Sequence, residues 1–245
     1  MSEHEQYMTD FMEVFAELDR WGPGRDADTL RALSAVPTTP KNIIDIGCGK
    51  GFSTRLLAEH TAAQIVALDT EPGALDDLDK YLASHDLKNR VTLSYASMTE
   101  LPFPEGCFDL IWAEASAYIM GVERALSGWR THLSEEGYLV ISDLVWLVKK
   151  PHSEAQTFWN GEYPDMQRVE VRLNQMQKAG FKVIDHFTLS EQAWSNYYQP
   201  LKLRVTGLKN NMPESLAITD IEREIDIYER FLGEFGYQFF ILKNN

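Results

Sequence analysis

The sequence IIDIGCGKG at residues 43–51 decides the fold. It begins as an apolar run typical of a buried strand, continues into three glycines, and is followed by a helical pattern over residues 52–60. Glycine lets the backbone turn tightly and lets a ligand approach closely. The first turn of the following helix offers free N–H groups to a polar ligand group. The stretch therefore predicts a strand, a ligand-binding loop and a helix in direct succession.

Outward from this stretch, short apolar runs alternate with helical patterns. The predicted strands are residues 42–46, 64–69, 91–95, 108–113, 138–143, 181–188 and 236–242. The predicted helices between them are residues 52–60, 72–84 and 122–132, with two more within 152–180. Strands and helices that alternate in this way form a mostly parallel sheet with helices on both faces. The predicted fold class is therefore a doubly wound α/β sheet of seven strands.

The remaining segments indicate a helical cap and a helical insert around this sheet, all within a single domain spanning residues 1–245. The predicted division is residues 1–40 for the N-terminal helical cap, 41–188 and 236–245 for the sheet core, and 189–235 for the insert before the last strand. Within the cap we expect one helix over residues 3–20 and a second, short one that ends at Ala35. The insert either packs against the sheet edge or forms a lid over a site.

Composition excludes several classes of protein. The 245 residues include 23 Lys and Arg against 37 Asp and Glu, a net charge of −14, and 44% are hydrophobic, which excludes a disordered chain. Neutralisation of phosphates needs basic residues, so no nucleic-acid partner is expected. No run reaches the ~18 apolar residues of a membrane span. The polar, acidic N-terminal residues lack the pattern of a secretory signal.

Cysteine usage agrees with an intracellular protein. The two cysteines, Cys48 and Cys107, make no disulfide framework. We therefore expect a cytoplasmic location and no membrane partner. No cysteine pair or His/Asp cluster has the spacing of metal ligands, so no metal is expected. The oligomeric state stays open, with a homodimer as one form.

An acidic residue, Asp69, ends the second predicted strand, 18 residues after Gly51. A carboxylate at that place can accept hydrogen bonds from the ribose hydroxyls of an adenosine ligand. A dinucleotide site has the pattern G-x-G-x-x-G, which would need a glycine where Phe52 stands. The observed pattern has a glycine at every second position after Asp45, which makes an NAD site the weaker alternative.

Five parts of the sequence resemble the class I S-adenosylmethionine (SAM)-dependent methyltransferases, most of all the small-molecule methyltransferases sometimes labelled type 11. They are DIGCGKG at residues 45–51, Asp69, SYASMTELPF at 94–103, FDLIWAEA at 108–115 and LSEEGYLVISD at 133–143. The resemblance implies the strand order 3-2-1-4-5-7-6 with strand 7 antiparallel. It also implies SAM as the cofactor, S-adenosylhomocysteine (SAH) as its product, and a small molecule as the methyl acceptor. A SAM-binding protein of the same fold with other or no catalytic activity is the alternative.

The resemblance implies a set of cofactor-binding residues. They are Arg20, Asp45, Gly47, Cys48, Gly49, Asp69, Thr70, Ser97, Met98, Glu114 and Ala115. The backbone of the glycine loop would lie against the methionyl part of SAM, and Asp69 would hold the ribose. Three alternatives stay open. Asp45 lies near the SAM ammonium or only braces the loop, Met98 borders the adenine or packs in the core, and Arg20 reaches the SAM carboxylate or belongs to an ordinary turn.

Ligands of open parallel sheets bind beyond the carboxyl ends of the strands, which indicates where the acceptor lies. The predicted acceptor-binding residues are Tyr118, Asp143, Trp146, Trp194 and Tyr197. Further aromatic residues that wall the acceptor, or alternatively pack the insert onto the sheet, are Phe158, Trp159, Tyr163 and Tyr198. The candidate catalytic bases are Glu114, which alternatively contacts SAM, and His186, which alternatively is structural. The sequence does not name the acceptor or the atom that receives the methyl group.

Overall fold

One sheet runs through the centre of the molecule in the computed structural model, which describes residues 2–245. Among these residues the strands are β1 Asn42–Ile46, β2 Gln64–Asp69, β3 Val91–Tyr95, β4 Phe108–Glu114, β5 Leu133–Trp146, β6 Gln167–Arg168, β7 Phe181–Thr188 and β8 Phe235–Asn244. The helices are α1 Glu3–Phe15, α2 Asp26–Ser34, α3 Phe52–His60, α4 Pro72–Ser84, α5 Val122–Arg130, α6 Ser153–Glu162, α7 Val169–Lys178, α8 Glu191–Leu208 and α9 Leu216–Phe231, with a short 3-10 helix at Ala117–Ile119. No helix within the described residues is long and apolar enough to cross a membrane.

The order of the strands in the sheet is β3-β2-β1-β4-β5-β8-β7. Strand β8 is antiparallel to both of its neighbours, and the other pairs along this path are parallel. The predicted strands 6 and 7 are β7 and β8 of the structure, so the predicted order 3-2-1-4-5-7-6 and the antiparallel strand 7 are confirmed. The two-residue strand β6, which pairs with the end of β5, is an addition that the sequence pattern does not predict. Because β1, β2 and β4 are parallel, the loops that follow them meet at one edge of the sheet, here called the carboxyl edge.

Strand β1 is buried on both faces because its apolar side chains alternate between two layers of helices. Ile43 packs in a cluster with Leu57 of α3 and Leu78 of α4. The next residue, Ile44, packs on the other face in a cluster with Leu126 of α5. A strand that is apolar on both faces is typical of the centre of a parallel sheet. This packing fixes the position at which the glycine loop leaves the sheet.

A third apolar cluster joins the cap and the insert above the carboxyl edge. It includes Val14 of α1, Phe158 of α6, Trp194 of α8 and Ile221 of α9. The insert thus packs against α1 and α6, and other side chains of α8 and α9 line the cleft described below. The division of the chain into cap, core and insert stays a prediction.

The element boundaries differ most from the predicted ones at α1 and at β5, which also begins earlier than predicted, at Leu133. Helix α1 ends at Phe15 and does not continue to residue 20. The ammonium of Lys50 donates hydrogen bonds to the carbonyls of Ala16 and Leu18, both at 2.8 Å, and so satisfies carbonyls at this helix end. Strand β5 continues to Trp146, beyond the predicted end at residue 143, because β8 pairs with it as far as that residue.

Candidate functional site

A cleft of about 680 Å³ opens at the carboxyl edge, within the range of about 300–1,000 Å³ that is usual for small-molecule sites. Loops after β1, β2, β3 and β4 line one side, and side chains from α1, α6, α8 and α9 line the other. The predicted site residues that line it are Arg20, Gly47, Cys48, Gly49, Asp69, Thr70, Ser97, Met98, Glu114, Ala115, Tyr118, Trp194 and Tyr197. The predicted site residues that do not line it are Asp45, Asp143, Trp146 and His186.

The glycine loop after β1 adopts a backbone that favours glycine at three positions. Gly47, Gly49 and Gly51 have φ angles of 72°, 50° and 81°. A side-chain carbon on Gly47 would lie 2.5 Å from Cβ of Ser116, and one on Gly51 would lie 2.3 Å from Cδ1 of Leu78. At Gly49, by contrast, no protein atom lies within 4 Å of that position. Gly49 therefore presents bare backbone to open space, where a ligand can approach closely.

Asp69 holds this loop from the end of β2. Its Oδ2 accepts a hydrogen bond from the N–H of Gly49 at 2.7 Å. Its Oδ1 accepts from the N–H groups of Thr70 at 2.7 Å and Glu71 at 3.0 Å. A carboxylate offers about four acceptor positions, so roughly one stays free, on Oδ2. Asp69 can therefore accept one further hydrogen bond, from a ligand hydroxyl, while it fixes the loop.

Asp45 lies beneath the glycine loop and not in the cleft. Its side chain is fully buried, and its Oδ2 accepts hydrogen bonds from Ser53 at 2.8 Å and Thr54 at 2.6 Å, at the start of α3. Its Oδ1 has no partner within residues 2–245. Burial raises the pKa of Asp45 to about 7, although these two hydrogen bonds oppose the shift. The structure corrects the expectation of a cofactor contact: the carboxylate braces the loop onto α3.

Glu114 ends β4 with its carboxylate at the cleft. Its Oε1 accepts hydrogen bonds from Oγ1 of Thr29 and Nε1 of Trp112, both at 2.9 Å. Burial raises the pKa of Glu114, and the positive charge of Arg20 is the strongest influence against this shift. The guanidinium of Arg20 itself lies over the ring of Phe52, 4.2 Å from the centroid. A fixed carboxylate and a cation thus stand in the same part of the cleft.

Asp143 reaches the cleft only through a neighbour. It is fully buried, and its Oδ2 lies 2.7 Å from Nε of Arg172, which is also fully buried. The hydroxyl of Tyr163 donates a hydrogen bond to Oδ1 of Asp143 at 2.9 Å and accepts one from Arg172 at 2.5 Å. Burial raises the pKa of Asp143, and the adjacent Arg172 opposes the shift. The predicted direct contact of Asp143 with an acceptor is therefore corrected to positioning of Tyr163, which lines the cleft.

Two more predicted residues lie away from the cleft. Trp146 packs edge-on against Phe235 in the cluster above the sheet, with ring centroids 6.4 Å apart. His186 is exposed on β7, the last strand of the sheet, with Nδ1 2.8 Å from the side-chain amide nitrogen of Gln238 and its ring stacked on Phe240. The structure corrects both assignments: Trp146 belongs to the core, and His186 is too far from the lining of the cleft to act as its base.

Aromatic rings surround one carboxylate in the part of the cleft called here the aromatic end. Its rings are Tyr118, Trp159, Tyr163, Trp194, Tyr197, Tyr198 and Tyr237. Glu224 of α9 lies among them, and one of its oxygens accepts a hydrogen bond from the hydroxyl of Tyr198 at 2.6 Å. Burial raises the pKa of Glu224. All rings of the predicted aromatic wall belong to the apolar cluster above the carboxyl edge, and Phe158 is the one among them that does not line the cleft.

Known proteins match both the glycine-loop region and the whole chain. Residues 43–137 match the family described as methyltransferase domain. The O-methyltransferase resE of Aspergillus sclerotiorum is 24% identical over 252 residues, which cover 96% of this chain and 93% of that protein. Over residues 43–137 this chain is therefore similar to a methyltransferase domain. A probable chloroplastic tocopherol O-methyltransferase of Oryza sativa subsp. japonica is 31% identical over 114 residues, which are 45% of this chain and only 32% of the rice protein.

Solved structures share the fold of this chain along nearly its whole length. A SAM-dependent methyltransferase from Geobacter sulfurreducens, solved with SAH, covers 96% of this chain and 97% of its own, with a TM-score of 0.81 at 14% identity. The [4+2]-cyclase SpnF covers 99% of this chain and 94% of its own, with a TM-score of 0.79 at 19% identity. At such low identity the likeness shows the fold alone.

The part of the cleft around the glycine loop, here the glycine-loop end, has room and polar groups for a ligand. Gly49 offers bare backbone, and Asp69 has one acceptor position left for a hydroxyl. Arg20 lines this end and supplies a cation there. Ser97 and Met98 line the same cleft beyond β3. Among residues 2–245, no group of three or more His, Cys, Asp or Glu side chains is arranged to hold a metal ion.

Sequence reasoning missed several residues that line the cleft. They are mainly Phe11, Met12 and Phe15 of α1, together with Glu224 and Tyr237. A signal for Glu224 was present, because it stands between Ile221 and Tyr228 on the apolar side of α9, where a charge is unusual. No comparable signal marks the α1 residues, whose helical spacing is that of ordinary core packing.

Proposed function

We propose that this protein transfers the methyl group of SAM to a small molecule that binds at the aromatic end. The observation that carries the proposal is continuity: the glycine-loop end and the aromatic end are parts of one cleft. A cofactor on the loop and an acceptor among the rings would therefore meet with no protein wall between them. The net charge of −14 argues against a nucleic acid as the acceptor, because both would be acidic.

On the cofactor side, each proposed role follows from a contact described above. Asp69 accepts a hydrogen bond from a ribose hydroxyl at the free position of Oδ2. The backbone at Gly49 lies against the methionyl part, since no side chain stands there. Arg20 pairs with the carboxylate of the cofactor, and Ser97 and Met98 flank the adenine. These assignments are the ones that the resemblance to the class I SAM-dependent methyltransferases implies, and the ribose role of Asp69 also follows from its place at a strand end.

SAM supplies a methyl carbon on a positively charged sulfur, which the nucleophilic atom of the acceptor attacks in line. The protein holds the two reactants in line and excludes water, which is where most of the rate enhancement of such a displacement arises. Side chains of α1, α8 and α9 cover the cleft for this purpose. Glu114 is the proposed proton acceptor where the attacking atom carries a proton, because its carboxylate is fixed at the end of β4 and burial raises its pKa.

One observation favours a second function, SAM-assisted chemistry other than methyl transfer. The fold of this chain is also that of a protein named as a [4+2]-cyclase, at a TM-score of 0.79. The two functions differ in the fate of the cofactor, because methyl transfer consumes SAM and produces SAH. A count of SAH formed per acceptor converted separates them.

The experiment that tests the proposal has two stages. Titration calorimetry with SAH, and with NADH in parallel, tests the cofactor, and we expect SAH alone to bind. Incubation with methyl-deuterated SAM and a panel of small amines, phenols and acids then tests the reaction by a mass increase in one acceptor. The variant His186→Ala should methylate as the native protein does, because its ring lies outside the cleft. Lack of SAH binding would overturn the proposal, and acceptor conversion without SAH formation would favour the second function.

A further inference from the structure

We propose that the acceptor carries a positively charged amino group and that this group binds between Glu224 and the tyrosine rings of the aromatic end. The inference rests on the proposed function, since it names the class of molecule that the same cleft accepts. It concerns recognition of the acceptor and leaves open which of its atoms receives the methyl group.

The carboxylate of Glu224 has no positive partner in the described part of the chain. Its contact is the hydroxyl of Tyr198 at 2.6 Å, and the nearest charge that acts on it, Glu162, is also negative. Both carboxylates line the cleft. Glu224 is half-buried, so water hydrates its carboxylate only in part, and an ammonium group of a ligand would compensate the charge.

The basic residues of the cleft lie elsewhere and are engaged. Arg20 and Lys50 are the basic side chains among the described residues that line it. Lys50 donates to two carbonyls after α1, and Arg20 lies over Phe52 with its guanidinium 3.4 Å from Asp26. Neither neutralises Glu224. The negative charge at the aromatic end is therefore left for the ligand to balance.

The rings around Glu224 suit a cation as well. The hydroxyl of Tyr163 is held by Asp143 and Arg172, which fixes its ring 5.4 Å from that of Tyr118, at 59° between the two planes. The ring of Tyr197 packs edge-on against that of Tyr198, 4.8 Å between centroids, and the hydroxyl of Tyr198 donates to Glu224. The faces of tyrosine rings attract cations, and several rings at angles to one another enclose an ammonium group from several sides.

A neutral acceptor would satisfy this site less well. It would fill the space between the rings but would leave Glu224 and Glu162 uncompensated in a partly enclosed cleft. An anionic acceptor would be repelled by both. Among small molecules, an amine that is protonated near neutral pH matches the rings and the carboxylates together, and this combination is what distinguishes the aromatic end from an ordinary apolar pocket.

The test compares two probes of the same shape, choline and 3,3-dimethyl-1-butanol, which differ by a positively charged nitrogen in place of a carbon. Binding of each to SAH-saturated protein is measured by saturation-transfer NMR. We expect choline to bind about tenfold more tightly or better, the scale of one contact with a charged group. The variant Glu224→Gln keeps the shape of the side chain and should remove this preference while the affinity for SAH stays unchanged.

The matched control is Glu222→Gln on the same helix, where the carboxylate pairs with Lys209 at 2.7 Å and faces away from the cleft. This variant should keep the preference for choline. Equal binding of the two probes, binding of neither, or a preference that survives in Glu224→Gln would overturn the inference. Failure of the proposed function would look different, because the protein would then not bind SAH at all.

Discussion

Replacement of Asp69 by asparagine tests the cofactor site at its most informative atom. In the structure, Oδ2 of Asp69 accepts one hydrogen bond from Gly49 at 2.7 Å and keeps one position for a ligand hydroxyl. Asparagine can keep the bonds to Thr70 and Glu71 through its oxygen, but its NH2 group then faces the N–H of Gly49. The loss of one hydrogen bond to a charged acceptor costs about 1.5–3 kcal/mol. We therefore expect the Kd for SAH to rise roughly 10- to 150-fold.

Titration calorimetry with SAH gives this Kd directly, and urea unfolding of the same samples reports the stability. The N–H of Gly49 loses its acceptor in Asp69→Asn, so the free energy of unfolding should also fall by about 1–3 kcal/mol. The control is Asp79→Asn, which makes the same chemical change on an exposed residue that pairs with Lys88 at 2.7 Å. A folded Asp69→Asn protein whose Kd stays within threefold of the native value would refute the assignment of the ribose to Asp69.

Three further predictions concern buried or bridging charges. Asp45 keeps its proton to about pH 7 in the folded protein but loses it near pH 4 in the unfolded chain. The free energy of unfolding should therefore fall by up to about 1.4 kcal/mol per pH unit as the pH rises from about 4 to about 7. Urea unfolding at several pH values should show a flatter decline for Asp45→Asn. Arg172→Met leaves the buried charge of Asp143 without its partner and should cost about 3–5 kcal/mol in the same assay, and the added change Asp143→Asn should recover part of it. Lys50→Met removes two hydrogen bonds to the end of α1 and should speed amide hydrogen exchange in residues 3–18. The control Lys80→Met changes an exposed side chain and should leave this exchange as it is. Unchanged exchange in both variants would show that Lys50 does not hold the helix.

The fold follows from local signals in the sequence. Strand β1 is apolar at three of its five positions and runs into the glycine loop, and the later strands repeat the alternation with helices. These patterns predict a mostly parallel sheet with helices on both faces, whereas the strand order is what the resemblance to the class I SAM-dependent methyltransferases implies. Strand β6 could not be predicted, because two residues have no periodicity and Gln167 and Arg168 pair only where β5 happens to end.

The candidate site was predictable at the ends of strands, where Asp69 is the last residue of β2 and Ala115 directly follows β4. The site was not predictable at positions where the direction of a side chain decides whether the residue faces the cleft. Successive residues of a strand point to opposite faces, so the position of Asp143 near a strand end does not tell that it faces Arg172. Glu224 lies far along the chain, and only the packing of α9 over the sheet edge brings it to the cleft.

Helix α1 touches both ends of the cleft. Phe11 and Met12 of α1 line the cleft, and the helix packs against α8 and α9, which carry rings of the aromatic end. Just after its last residue, Lys50 ties the chain to the glycine loop. A ligand that binds at either end and orders α1 therefore reduces the conformational entropy that is lost when the other ligand binds. We expect the two ligands to bind with positive cooperativity, and the coupling must be reciprocal: each raises the affinity for the other by the same factor.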